Sequence, residues 1–415
     1  MAKRRIVVTG LGVVSCLGNE VDSFYQNLLQ GKSGITSITG FDCSQFSTTF
    51  AGEIKDFDPG EYIEKKQARR VDRTIAYALV AGKKAVEHAQ LTGKSFEAID
   101  PLNAGIVIGS GMGGMHVFVD NVLTLENKGP KRVSPFFIPY VLTNMAGGLL
   151  ANDLGFMGPN YSISTACATG NHSIIAAARH IENGEADVMI TGGVEAAILP
   201  VGLAGFCSIK ALSQRNDAPA CASRPWDKGR DGFVMGEGAG VLVLESLEHA
   251  LKRGAPILAE YLGGGISCDA YHMTEPRPDG KGVAACINKA LKEAQIDATS
   301  VNYINAHATS TPAGDMVEIH ALKQVFKNPE SITLNATKSL IGHALGAAAG
   351  LEAVACVKAI QEKEVHPTLN LDDPEPGLDF HIPKKREALS IKVALSNSFG
   401  FGGHNAAILL GSYTP

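Results

Sequence analysis

A chain of 415 residues with 45% hydrophobic and 19% charged residues is too long for one ordinary core and too apolar for disorder, so two domains or two halves sharing a core are expected. The formal charge of −5 and pI near 6.2 give no global attraction for nucleic acid, so an anionic partner must be met by a local basic patch. Eight cysteines at 16, 43, 167, 207, 221, 268, 286 and 356 show neither Cys-x-x-Cys nor zinc-knuckle spacing, which disfavours a cysteine metal cage.

Behind Arg4 and Arg5, the apolar run Ile6-Val7-Val8 is cut off by Thr9-Gly10 and reads as a buried strand, not a signal peptide. No stretch has the length of a membrane span. Reduced thiols without an export signal point to the cytoplasm, or to an organelle stroma or matrix once a transit peptide is removed. Further β runs follow at Ala104 to Ile108, Val188 to Thr191, Val241 to Leu244, Val301 to Ile304 and Ala406 to Leu410. Helical patterns lie between them, notably Ser173 to Ile181 before Asn183-Gly184 and Gly350 to Ile360 before Glu362-Lys363. This alternation, with 46 glycines for tight turns, predicts a layered α/β enzyme with mostly parallel sheets covered by helices.

The chain also echoes itself. Gly236-Glu237-Gly238-Ala239-Gly240 before Val241 to Leu244 resembles Gly400-Phe401-Gly402-Gly403-His404 before Asn405 to Ile408. The turn Thr165-Ala166-Cys167-Ala168 and its helix pair with Ser339-Leu340-Ile341-Gly342-His343 and the helix after it. Two similar halves, 1–254 and 255–415, are the expectation.

Chemistry concentrates in three turns. Cys167 has small neighbours that leave room for a substrate, and a helix N-terminus just beyond the sulfur is expected to lower its pKa. The bland alternative, an inert buried thiol, is accepted for the other seven cysteines. His307 and His343 stand in Gly/Ser/Thr-rich turns, where either could be a structural residue. Taken with Cys167, two neutral imidazoles supply the donor pair that a thioester enolate needs after decarboxylation. Lys338, five residues before His343, would add a fixed charge unless it is a solvated strand-end lysine. Gly109-Ser110-Gly111-Met112-Gly113-Gly114 lacks the Lys-Ser/Thr ending of a phosphate loop.

Four ordered stretches carry a family resemblance: Ser164-Thr165-Ala166-Cys167, Asn305 to Thr311, Asn335 to Ser339 with Gly342-His343, and Ser396 to Asn405. With Arg224-Pro225-Trp226-Asp227 and Arg230 to Gly238, they resemble the motifs of elongating β-ketoacyl-acyl-carrier-protein synthases, type II and also plastid type I. The resemblance implies the thiolase fold, with two βαβαβαββ halves in five αβαβα layers, a homodimer and no cofactor. It implies that Cys167 carries the acyl chain, that the N–H groups of Cys167 and Phe399 form an oxyanion hole, and that Phe399 gates the site. His307 and His343 would hold the malonyl thioester carbonyl, with Lys338 tuning the field around His307 and Glu352. Thr309 and Thr311 would bind pantetheine, and Met112 and Phe401 would contact the substrate. Acyl-carrier protein, with its acidic recognition helix, would dock on Lys65, Lys66, Arg69, Arg70 and Arg73, with Lys131, Arg132 and Lys210. No catalytic metal is implied, although Asn305, Glu352, Ser396 and Asn397 could surround a structural monovalent cation.

Three rivals are weaker. A degradative thiolase uses a second cysteine in the C-terminal Gly-rich turn, where this chain has Phe399. Initiating and chalcone-type enzymes use Cys, His and Asn, whereas this chain completes a two-histidine pattern. A non-catalytic acyl-binding or chain-length partner typically lacks the cysteine. A type I enzyme of narrower chain range stays open.

Overall fold

The computed structural model describes residues 4–414. Strand β1 (Ile6–Val14) is buried at all nine positions, as expected for a strand covered on both faces. From it the first half runs through α1 (Arg73–His88), β2 (Ala104–Gly109), α2 (Met115–Lys128), α3 (Phe137–Val141), α4 (Met145–Leu154), β3 (Asn160–Tyr161), α5 (Thr169–Glu182), β4 (Val188–Glu195), α6 (Pro200–Ser208) and β5 (Gly238–Ser246). The second half runs through β6 (Ala259–Cys268), α7 (Lys281–Ala294), β7 (Val301–Asn305), α8 (Gly314–Val325), β8 (Thr333–Asn335), α9 (Ala348–Glu362), β9 (Val393–Gly400) and β10 (His404–Gly411).

The two halves share one topology. Spatial order is β3-β2-β4-β5-β1 in the first and β8-β7-β9-β10-β6 in the second, so each half places its own strands as third, second, fourth, fifth, first. The half-sheets join where β1 meets β6 antiparallel over Ile6↔Tyr261, Val7↔Glu260 and Val8↔Ala259. In each half the second strand pairs parallel with the third and fourth, whereas the fourth to fifth and fifth to first pairings are antiparallel. The sheets are therefore mixed, which corrects the expectation of mostly parallel pairing. The antiparallel members arise because each fifth strand follows the fourth without a buried crossover helix.

Five layers result. Helices α1 and α4 cover the outer face of the first half-sheet, and α7, with α8 packed beside it, covers that of the second. Between the half-sheets lie α5 and α9, and every residue of α9 from Ala348 to Ile360 is buried. A helix buried on all sides has no solvent face to present, so it belongs in the middle layer, where its charged Glu352 and Lys358 are ion-paired. Close approach at this layer depends on glycine: a β-carbon at Gly240 of β5 would lie 2.1 Å from the Gly350 carbonyl carbon and 2.2 Å from the Leu351 nitrogen.

The first predicted echo corresponds to the two fifth strands, β5 and β10. The second is displaced. Tight turns Ala166–Ala168 and Leu345–Ala347 precede α5 and α9, and each opens on a left-handed residue, Ala166 at φ 49° and Leu345 at φ 51°. Cys167 is thus matched by Gly346, beyond the Ser339 to His343 stretch expected from sequence. Among the described residues, no helix is long and apolar enough to cross a membrane.

Candidate active site

The turn that carries Cys167 is built from local strain and close approach. Ala166 occupies a region that residues with side chains rarely adopt. The Thr165 N–H donates to Thr169 Oγ1 at 2.9 Å, and the Ala168 N–H to the Thr165 carbonyl at 3.1 Å. The hairpin between β9 and β10 comes down on this turn. A β-carbon at Gly400 would sit 2.5 Å from the Thr165 oxygen and 3.0 Å from the Cys167 nitrogen, so that position needs glycine.

Cys167 lines a cavity of about 800 Å³. The residue is half-buried beside that space, and burial pushes the thiol up to about 12. The Lys338 charge and the Phe401 N–H oppose the rise, while Glu195 adds to it. The expected lowering at the helix N-terminus is therefore outweighed by desolvation. Met112, Phe206, Phe233 and Leu345 flank the sulfur on an apolar side of the cavity.

His307 and His343 line the same cavity, with ring centroids 5.4 Å apart and planes at 89°. Phe399 packs edge-on against His307 at 5.2 Å, and Phe233 against His343 at 5.3 Å. Backbone pairing fixes the main chain that carries each ring. The Glu318 carboxylate accepts the His307 N–H at 2.9 Å and the Ala308 N–H at 2.8 Å, while the His343 N–H donates to the Val234 carbonyl at 2.7 Å. Both Nδ1 atoms are buried without a protein partner. Burial first, then the Lys338 charge, holds both imidazoles well below 6.5, so both are neutral at pH 7.

Lys338 is only 1% exposed and its ammonium pairs with Glu352 Oε1, so the solvated alternative is excluded. Burial raises Glu352 to about 7 against the opposing pull of Lys338. The second Glu352 oxygen, Asn305 Oδ1 and Asn397 Oδ1 are buried without partners, and the Ser396 hydroxyl has only the Cys356 thiol. Ser396 and Asn305 are register partners on β9 and β7. The amide nitrogens are used elsewhere: Asn305 Nδ2 donates to Thr337 Oγ1 at 2.7 Å, and Asn397 Nδ2 to Glu318 Oε1 at 3.2 Å.

Thr309 and Thr311 line the cavity with hydroxyls 3.1 Å apart, and Phe401 lines it beside Gly400. Lys210 sits at the rim with the exposed Ile209. Lys65, Lys66, Arg69, Arg70, Lys131 and Arg132 are exposed, and among the described residues none of these forms an ion pair. The Arg70 guanidinium lies over the Phe136 ring at 5.3 Å, which draws the two basic stretches together. Arg73 instead turns partly inward, over Tyr77 and toward the Ile54 carbonyl.

Two carboxylates escaped the sequence reading. Glu318 supports the His307 turn, and Glu195 accepts from Ser110 Oγ and the N–H groups of Gly111, Met112 and Gly346, thereby tying the Met112 loop to the second-half turn. Burial raises Glu195 to about 7. The available signals were an acid ending the apolar run Val188 to Val194 and two acids, Asp315 and Glu318, spaced one helical turn apart.

Family models for the beta-ketoacyl synthase N-terminal and C-terminal domains match residues 3–250 and 258–372. The chain is 58% identical over its full length to 3-oxoacyl-[acyl-carrier-protein] synthase I, chloroplastic, from Arabidopsis thaliana, covering 88% of that protein. It is 55% identical to synthase II, chloroplastic, of the same plant over 99% of this chain and 76% of that one. A type II polyketide ketosynthase solved with its acyl-carrier protein superposes with a TM-score of 0.90 at 35% identity, over 99% of this chain and 100% of that one.

Because burial and the Lys338 charge both disfavour imidazolium, the His307 and His343 rings stay neutral as pH falls through 6.5. Ring resonances of these residues in histidine-labelled protein are expected to stay flat from about pH 8 to about pH 5, and Lys338→Met to bring their midpoints up toward the ordinary histidine range. Midpoints near 6.5 in the unaltered chain would show that the rings are not held neutral.

Proposed function

This chain belongs to the beta-ketoacyl synthase family, and from that membership we propose that it elongates fatty acyl chains by decarboxylative condensation on acyl-carrier protein. The observation that carries the reading is that Cys167, His307 and His343 line one cavity while Lys338 is buried beside them. In the first half-reaction the Cys167 sulfur attacks the acyl thioester as its proton passes toward the departing carrier sulfur. The bond to the carrier sulfur breaks, and the carrier thiol leaves with that proton. In the second, the malonyl thioester oxygen accepts from His307 and His343. Carbon dioxide departs, and its bonding pair passes into an enolate that these neutral donors stabilise. The enolate carbon attacks the acyl carbonyl, whose oxyanion accepts from the Cys167 and Phe399 N–H groups. Collapse expels the Cys167 thiolate, which takes a proton from solvent, and leaves a 3-oxoacyl thioester two carbons longer. Phe399 gates this site, and Phe401 and Met112 contact the chain.

We read the enzyme as a type II elongating synthase. The 58% identity to a chloroplastic synthase I favours a second reading, a type I enzyme of narrower chain range. Turnover of carrier thioesters up to hexadecanoyl separates them. The boundary between halves is placed at 254/255, between the helix Leu247–Arg253 and β6. The chloroplastic relatives support a stromal setting, with cytoplasm as the alternative.

Pantetheine is assigned to the Thr309 and Thr311 hydroxyls, and carrier docking to Lys65, Lys66, Arg69, Arg70, Lys131, Arg132 and Lys210. A homodimer is supported by exposed Phe118, Val122 and Leu125 on α2, exposed Ile138 on α3 and Leu142 just after it, and the end position of β3 in the sheet. Asn305, Glu352, Ser396 and Asn397 would hold a monovalent cation, since neutral oxygens with one half-used carboxylate suit a hard ion of single charge. Such an ion would order β7, β9 and α9; no step passes through it.

Incubation with acyl-carrier thioester should add one acyl group to Cys167 by intact mass. Cys167→Gln should abolish condensation while decarboxylation of the malonyl thioester persists, and His307→Ala or His343→Ala should slow decarboxylation by about 10²-fold or more. An acyl adduct elsewhere, or normal decarboxylation in both histidine variants, rejects the assignment. Sedimentation velocity should give twice the chain mass, with carrier protein bound at about 50 mM salt and released at about 500 mM; a monomer or a salt-independent complex rejects the dimer or the docking face. Thermal melting should rise by several degrees when tetramethylammonium is replaced by sodium or potassium, and unchanged melting removes the ion.

A further inference from the structure

The signature Arg224 to Gly232 has no role in the chemistry above, yet it forms the scaffold behind Thr309 and Thr311. The loop from Ala308 to Ala313 is irregular, with left-handed Ala308 and Ser310, so no regular helix or sheet ladder holds it. Side chains from this segment do. The Arg230 guanidinium is 5% exposed and uses each of its nitrogens. Its Nε donates to the Thr311 carbonyl at 2.9 Å and its Nη2 to the Pro312 carbonyl at 3.1 Å. Its Nη1 donates to the Asp227 carbonyl at 2.9 Å and Glu375 Oε1 at 2.8 Å. From the other side, Asp315 Oδ1 accepts the Thr311 N–H at 3.1 Å, and its Oδ2 accepts the Trp226 N–H at 2.9 Å.

We infer that Arg230 is a positioning residue for substrate recognition: its planar fork clamps two consecutive carbonyls and so aims the Thr309 and Thr311 hydroxyls at the pantetheine arm of the thioester. This rests on the assignment of pantetheine to those hydroxyls. The argument is geometric. A lysine keeps the charge but presents a single point donor, which cannot satisfy both carbonyls and Glu375 in this fixed arrangement. The loop then loses its register without any change at Cys167, His307 or His343, because Arg230 touches none of them. The arm, not the reacting carbons, should register the loss.

The test compares two malonyl thioesters, one on pantetheine and one on N-acetylcysteamine, which lacks most of the arm. Arg230→Lys should raise KM for the pantetheine thioester about tenfold, equivalent to losing about one charge-assisted hydrogen bond, and leave kcat/KM on the truncated thioester within about twofold. Glu375→Gln, in which Arg230 stays in place, should give a smaller rise of about threefold on the same substrate and serves if Arg230→Lys does not fold. Equal losses on both thioesters mean a merely structural role and overturn the inference, as does an unchanged KM in both variants. Thr309→Val with Thr311→Val separates the two claims: if it leaves the pantetheine KM unchanged, the pantetheine assignment itself fails, and if it raises KM while the Arg230 and Glu375 variants do not, only the clamp fails.

Discussion

An ammonium group held inside the core is the constraint on which the site depends. Moving Lys338 out of water costs several kcal/mol, which only a close counter-charge and satisfied donors can offset. Glu352 provides that counter-charge from α9, the helix with no solvent face. The field that results acts on Cys167, His307 and His343 together. It pushes the His307 and His343 pKa values down, and it partly counters the desolvation of Cys167. Burial is the larger cause of the neutral imidazoles; the Lys338 field reinforces it and partly opposes the rise of the Cys167 thiol, which still reaches about 12. Burial alone would keep the rings neutral but give the sulfur no compensation.

The duplicated topology explains why one site results where symmetry would allow two. Both halves bend the chain through a left-handed residue into a buried helix, but the first half places Cys167 in that bend and the second places Gly346. The second-half turn contributes His343 just upstream and leans through the Gly346 N–H on Glu195 of the first half. Cys167 and the two histidines therefore come from opposite halves and meet in one cavity at the middle layer.

Much of this was legible in the chain because it rested on local chemistry. Strand cores such as Ile6 to Thr9 and Val301 to Ile304 lie within observed strands, since a continuous apolar run suits a doubly covered strand. Cys167, His307, His343 and Lys338 were visible as reactive residue types in small-residue turns. What the sequence hid depends on tertiary surroundings. Glu195 and Glu318 look like ordinary acids until burial and converging N–H groups reveal what they hold. The shift of Cys167 was misjudged because helix-end stabilisation is a local feature, whereas desolvation is set by residues as distant as Phe233 and Leu345. The echo was misaligned by its emphasis on residue identity, when the shared feature is a backbone angle at Ala166 and Leu345.

The middle layer also bears on how separable the halves are. Helix α9 belongs by sequence to the second half but packs on β4 and β5 of the first as well as on its own β9, and α5 reaches back to β6 and β10. Each half thus supplies a piece of the other's interior, while the half-sheets themselves meet over only three residue pairs. Severing the connector near residue 255 would strip each middle-layer helix of the strands that the other half supplies, leaving one apolar face of α5 and of α9 uncovered.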